Sequence, residues 1–134
     1  MTAYLPAEYI PDDTVRLGVY QRMVAADRLD EVRGLRQEIQ DRFGEPPLPA
    51  MHLLTWLHIK ALALQAGVSS VTTTGEEFII RLPILDVPAR ERLRRRYGRD
   101  VSVKVGPQFI RLDRRSLGGG WSDKLMGVLE VLAA

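Results

Sequence analysis

The chain contains no cysteine, which excludes disulfides and thiol chemistry and fits a reducing compartment. Its only histidines are His52 and His58. At about 100° per residue, six positions along a helix place them about 240° apart, so they cannot grip one metal as an i, i+4 pair can. No apolar run approaches the roughly 20 residues of a membrane span. The N-terminus lacks the basic-then-apolar layout of a secretory signal. Together these absences predict a cytoplasmic chain without membrane contact. The phosphate-binding patterns G-x-x-x-x-G-K-[ST] and G-x-G-x-x-G and the nucleophile turn G-x-S-x-G are all missing. Gly118-Gly119-Gly120 runs into Trp121-Ser122-Asp123-Lys124, which reads as a flexible entry to a helix rather than an anion cradle. Neither low-complexity segments nor internal repeats occur beyond two hairpin-like stretches. No catalytic residue, metal site or cofactor is predicted within the chain.

What is present suits a folded domain. A chain of 134 residues is one domain by length and buries about two thirds of its unfolded surface. The formal net charge of +2 conceals an asymmetry. Residues 1–50 hold 6 basic and 9 acidic side chains, whereas residues 51–134 hold 13 and 8. Neither half is charged enough to imply a nucleic-acid partner on that ground alone.

Periodicity divides the chain into helices and then strands. Residues 1–10 should be extended, because Pro6 and Pro11 bias their predecessors away from helix. A first helix begins after Asp12-Asp13, with Leu17, Tyr20 and Val24 as its apolar period and Met23 beside it, ending near Ala26. A second, about Arg28 to Phe43, carries the stripe Leu29, Val32, Leu35, Ile39 and Phe43 and is closed by Gly44. Pro46, Pro47 and Pro49 make a stiff connection to a third helix, about Ala50 to Ala66, which is apolar nearly all round and therefore expected to be covered on several sides. From Val68 the pattern changes. Val68 to Thr74 and Phe78 to Leu82 flank a turn at Gly75-Glu76. Pro88 to Tyr97 is a short arginine-rich helix stopped by Gly98, with Leu93 and Tyr97 as its buried stripe. Val101 to Val105 alternates, Gly106-Pro107 turns, and Phe109 to Leu112 returns. A last helix places Leu125, Val128, Leu129 and Leu132 on one side. The expected class is α+β: N-terminal helices followed by a ββαββα-like region, with an antiparallel sheet covered by helices.

Two charged clusters are candidate binding surfaces. Glu38, Asp41 and Arg42 stand at i, i+3 and i+4 and share another face than Leu35, Ile39 and Phe43. By chemistry alone they decorate a solvated helix, with Glu38 and Arg42 as an i, i+4 pair worth roughly 0.3–0.5 kcal/mol. Arg90, Arg92, Arg94, Arg95, Arg96 and Arg99 form the densest run. They read either as a solvated helix face with Glu91 partly paired in it, or as a surface for nucleic-acid phosphates. No aromatic platform is interleaved with them for base stacking, since Tyr97 belongs to the buried stripe.

The sequence also resembles a known family. Asp41-Arg42-Phe43-Gly44 followed by Pro46-Pro47 is similar to the DRFG-x-x-P signature of the C-terminal domain of bacterial transcription-repair coupling factors (Mfd). Leu5-Pro6-Ala7-Glu8-Tyr9-Ile10-Pro11-Asp12 and Arg16-Leu17-Gly18-Val19-Tyr20-Gln21-Arg22 resemble two further family segments, in the same order and at the same spacing. The likeness is strong over residues 5–67 and limited to the succession of elements beyond. It implies a single non-catalytic regulatory domain, residues 1–134, from a larger ATP-driven DNA translocase. In the family this domain docks on the UvrB-like module of its own parent chain and masks the surface that recruits UvrA. The matching contact residues are Glu38, Asp41 and Arg42. The ATP site and the parts that engage RNA polymerase and DNA are implied to lie elsewhere in the parent. The alternative from another class is a nucleic-acid-binding module using the helix from Arg90 to Arg99.

Overall fold

The computed structural model describes residues 2–134 (at 116 and 118 the backbone alone). The chain divides into two compact units, Met1–Ala61 and Leu62–Ala134. It is α+β, as the sequence predicts, and the order of elements is the expected one.

The first unit contains α1 (Asp13–Ala25), α2 (Leu29–Phe43) and most of α3 (Leu48–Gln65). Asp12 caps α1, its carboxylate accepting from the Val15 N–H at 2.9 Å. That satisfies one of the amides a helix start leaves without a partner. The buried face of α1 differs from the expected one. Val19 and Met23 are buried, Tyr20 is half-buried, and Leu17 and Val24 are exposed. With several hydrophobic residues on more than one side of α1, periodicity alone could not select the inward face. For α2 the expected stripe holds: Val32, Leu35 and Ile39 are buried, with Leu29 and Phe43 packed at the edge of the same cluster. Pro49, expected in the connection, lies within the first turn of α3. Proline is tolerated there because the amide it lacks would have had no helical partner. Ala50, Leu54, Leu57 and Ala61 of α3 join the core cluster. Ile59 and Leu62 are buried on another side of α3, while Leu48, Met51 and Leu64 are exposed. The N-terminal segment, of which Met1 lies outside the described residues, turns at Pro6, whose carbonyl accepts from the amides of Tyr9 and Ile10. Leu5 and Ile10 are thereby buried in the helical core.

The second unit is built on one four-stranded antiparallel sheet of β1 (Ser70–Thr73), β2 (Glu77–Arg81), β3 (Val103–Val105) and β4 (Phe109–Asp113), in the order β1-β2-β4-β3. Each hairpin is the one expected, and β2 pairs with β4 to join them. Phe78 faces Leu112 and Ile80 faces Ile110 across that central pair, and all four are buried. Between them Ile79 pairs with the exposed Arg111 on the opposite face. This is the period-two pattern of a sheet covered on one side. The covering helices are α4 (Val87–Tyr97) and α6 (Trp121–Ala133). Leu93, Leu125, Val128 and Leu129 are fully buried, and Trp121 stacks on Phe78 with centroids 5.0 Å apart. On α6 it is Val131 rather than Leu132 that is buried, because the helix presents Gly127, Val128 and Val131 on the side where α4 lies. A Cβ at Gly127 would stand 2.6 Å from Tyr97 Oη, so glycine permits the close approach of α4 and α6. The glycines expected to form a joint lie within helical turns. A one-turn helix α5 (Arg114–Leu117) leads into a 3-10 turn at Gly118–Gly120 and directly into α6.

The alternation expected over residues 101–105 is broken at its start. Val101 is 88% exposed, Ser102 is buried, and the strand begins only at Val103. Asp100 is the cause. Its carboxylate accepts from the Ser102 amide at 3.0 Å and from Ser102 Oγ at 2.6 Å. It also receives a hydrogen bond from Lys124 Nζ of α6. The Lys124 ammonium, followed by Ser102, holds the Asp100 carboxyl down to about 2.

Candidate docking surface

The end of α2 is held by side chains from well outside it. Tyr9 Oη donates to Gly44 O at 2.7 Å and lies 3.4 Å from Ile39 O. Its ring meets Phe43 edge-on at 5.9 Å. Burial raises the Tyr9 phenol above its ordinary range. Gly44 adopts φ +87°, and its N–H returns to Gln40 O at 2.9 Å. That left-handed turn strongly favours glycine. The segments around Tyr9 and Asp41-Arg42-Phe43-Gly44, far apart in sequence, are thus two sides of one cap. The third segment joins them. Tyr20 Oη accepts from the buried Leu5 amide at 2.7 Å, Arg16 donates to Ile10 O at 2.8 Å, and Arg22 reaches Glu38.

Glu38, Asp41 and Arg42 occupy the outer face of this capped end. The guanidinium of Arg22 forks onto Glu38, with Nη2 2.8 Å from Oε1 and Nη1 on Oε2. This α1–α2 pair dominates, because the expected i, i+4 partner Arg42 stands at 3.4 Å. The hydrogen bond from Arg22 lowers the Glu38 carboxyl, and the same bond raises Arg22. Arg42 lies over the Phe43 ring at 4.8 Å. Asp41 is exposed and accepts from Gln37 Nε2 at 2.9 Å. Glu38 and Arg42 share a long ion pair that Asp41 does not join, and Asp41 and Arg42 are exposed.

Beside Glu38 lies a groove of about 450 Å³, lined by Arg22, Ala25, Ala26, Glu31, Gly34, Leu35 and Glu38. A Cβ at Gly34 would meet nothing within 4 Å. Glycine inside a helix costs about 1 kcal/mol relative to alanine, and nothing within this unit demands it. Sequence reasoning missed Arg22, Tyr9 and Gly34 as parts of this surface. Tyr9 and Arg22 carried a signal through their places in recognisable segments, whereas Gly34 carried none. The Arg22–Glu38 pairing depends on how α1 and α2 pack. Chemically the surface is a fixed array of charges around an alanine- and glycine-lined groove. Nothing in this residue set indicates catalysis. Among the described residues no group of three or more histidine, aspartate or glutamate side chains is placed to hold a metal, and no helix is long and apolar enough to cross a membrane.

The arginine run is only partly available for binding. Arg92 turns toward α6, with Nε 3.4 Å from Val131 O and Nη2 3.3 Å from Ala134 O. It serves the carbonyls that a helix end leaves unsatisfied. Arg94 pairs with both oxygens of Glu91 at 3.0 Å, and Arg96 lies over the Tyr97 ring at 5.5 Å. Arg90, Arg95 and Arg99 are exposed.

Comparison with known proteins places this architecture. The chain is 36% identical over 97 residues to the transcription-repair-coupling factors of Mycobacterium bovis and Mycobacterium tuberculosis, which covers 71% of this chain and 8% of those proteins. The factor of Staphylococcus aureus USA300 is 29% identical over 84 residues, 63% of this chain and 7% of that protein. The chain therefore spans less than a tenth of the length of the curated relatives it matches. A crystal structure of the C-terminal domain of a transcription-repair coupling factor superposes with a TM-score of 0.79 at 22% identity, covering 98% of this chain and 87% of that one, and so shares its fold. Residues 1–86 match the model of the TRCF domain, and the chain belongs to that family.

Proposed function

We propose that this chain is a non-catalytic regulatory domain of a transcription-repair coupling factor, acting in transcription-coupled excision repair. In this reading it docks on the UvrB-like module of its parent through the outer face of α2. Docking covers the surface that recruits UvrA until RNA polymerase or DNA releases it. The ATP-driven motor belongs to the rest of the parent. The observation that carries the proposal is the set of side-chain ties at the end of α2. Tyr9, Phe43 and Arg22 fix the helix that presents Glu38, Asp41 and Arg42. A helix end already tied in place has less backbone to order on binding.

The energetics suit a reversible lock. A tethered domain sees its partner at about millimolar effective concentration, so a Kd of about 10 µM closes the lock roughly 100-fold, near 2.7 kcal/mol. Such a contact masks a surface and still opens on demand. The test is calorimetry of this domain with the parent's isolated UvrB-like module, using the native chain and the pair Asp41→Arg and Arg42→Glu. Micromolar binding that disappears in the variant supports the reading. Because both side chains are exposed, circular dichroism and melting should remain unchanged. A large loss of stability would make the pair structural instead. Absence of binding by the native chain would remove the lock altogether.

A further inference from the structure

The second unit carries a groove that the docking surface on α2 does not use. It lies between α4 and the β3 edge, has a volume of about 500 Å³, and is lined by Arg90, Leu93, Arg94, Tyr97, Gly98, Val103, Val105, Gly106 and Pro107. The floor is apolar, built from Leu93 and Tyr97 of α4 and Val103 and Val105 of β3. The charged lining groups are two guanidiniums, Arg90 and Arg94, one helical turn apart. No carboxylate lines it. Arg94 is engaged by Glu91 in a pair exposed to solvent, which holds it only weakly. Arg90 makes no salt bridge with any described residue.

The strand bordering this groove is an edge. In the order β1-β2-β4-β3, β3 has a neighbour on one side only. The Asp113 amide donates to Ser102 O and the Gly106 amide to Phe109 O. By antiparallel alternation, Lys104 also turns its backbone groups to β4, and those of Val103 and Val105 turn outward. Val103 N–H is used locally by Asp100 O, which leaves the Val105 amide and carbonyl and the Val103 carbonyl along the edge. Val105 is itself 40% exposed on the groove wall. A short unpaired edge beside an apolar slot with a cationic rim is the layout that captures extended peptides: main-chain bonds hold the strand, and the slot takes an alternate side chain.

From this we infer that the α4–β3 groove binds an extended acidic peptide segment of another protein, with an aliphatic or aromatic anchor between aspartates or glutamates. The anchor enters against Val105 and Pro107, above the buried Leu93 and Tyr97, the flanking carboxylates meet Arg90 and Arg94, and the backbone adds to β3. The charge on the rim selects an acidic occupant. The apolar floor favours a peptide over nucleic acid, because Tyr97, the aromatic ring in the lining, is buried and offers bases no open face. This inference is independent of docking through α2.

The test uses the 134-residue chain and a short fluorescein-labelled peptide of aspartates and glutamates around a leucine-phenylalanine pair. Anisotropy should report a Kd of about 10–100 µM, in the range of weak transient contacts. It should weaken at least about tenfold with Arg90→Glu plus Arg94→Glu. Val105→Asp should weaken it as well, and replacing the anchor pair by serines should remove binding. All three positions are exposed, and unchanged circular dichroism will show that the variants remain folded. Amide shifts in NMR should concentrate at Val103, Lys104 and Val105. No binding at about 1 mM peptide, unchanged affinity in the arginine variant, or shifts confined to other elements would overturn the inference. So would single-stranded DNA that binds more tightly than the peptide and moves the same amides.

Discussion

The two units are held together by different chemistry. In the helical unit, polar side chains tie separate elements at defined points: Tyr9 to the end of α2, Tyr20 to Leu5, Arg16 to Ile10 and Arg22 to Glu38. The sheet unit has a larger share of apolar ties, running through Phe78, Ile80, Leu93, Ile110, Leu112, Leu125 and Leu129, beside polar ones from Lys124 to Asp100, Arg92 to the end of α6, Arg114 to Thr74 and Arg115 to Glu76. A tyrosine hydroxyl donating to one carbonyl has few substitutes. A buried aliphatic position accepts several residues of similar volume. The family model runs on through β1 and β2 to residue 86, whereas the fold likeness covers 98% of the chain. Packing preserves a shape through many sequences, while a hydrogen bond of fixed geometry writes particular letters.

The contrast can be broken or sharpened by substitution. The largest effect is expected in the apolar core. Leu129→Ala should cost about 2–5 kcal/mol through lost burial and a residual cavity, whereas Leu112→Met should cost less than about 1.5 kcal/mol. Urea denaturation measures both, and equal losses would deny the tolerance argued for this unit. Next comes the contact of α4 with α6. Gly127→Ala drives a methyl against Tyr97 Oη and should cost about 1–3 kcal/mol. Tyr97→Phe in the same chain should restore part of it. Additive losses would show that the hydroxyl is not the obstacle.

In the helical unit, Tyr20→Phe keeps the ring but leaves the Leu5 amide without its acceptor, for about 1–2 kcal/mol. A chain that melts unchanged would place the tie in packing rather than in the hydroxyl. The smallest effect is a pH dependence in the sheet unit. The Asp100 carboxyl sits at about 2, below its ordinary 3.8, chiefly through Lys124. Its contribution is therefore complete above the unfolded value and is lost as pH falls from about 4 through about 2. The pair is partly exposed, so solvent screening reduces the expected contribution to about 1 kcal/mol. Asp100→Asn should lose that amount at pH 7 and progressively less as the pH falls through about 2. A constant difference across this range would assign Asp100 a purely structural role.

Much of the fold was legible because its elements are strongly patterned. The α2 stripe, the Gly44 stop, both hairpins and the Leu93–Tyr97 face follow from local spacing and turn chemistry. The misread faces have physical reasons. On α1, apolar residues occur on more than one side, and only packing with its neighbours selected Val19 and Met23 over Leu17 and Val24. At residues 101–103, the hydrogen bonds of Asp100 to Ser102 bury a serine and turn out Val101, a local competition that alternation does not register. Of the candidate surface, Glu38, Asp41 and Arg42 could be placed on one helix face from spacing alone. Their principal partner could not.

The sequence by itself determined the succession of helices and strands, the helix stops, the absence of thiol chemistry and the membership of a family through segments spread along the first half. These are properties of neighbours in the chain, set by backbone preference and periodicity. Tertiary structure decided the β2–β4 pairing that joins the two hairpins, the Arg22 fork on Glu38, the diversion of Arg92 to the end of α6, and the open groove between α4 and the β3 edge. Each depends on residues brought together across long separations, where local propensity is silent and packing alone chooses the partner.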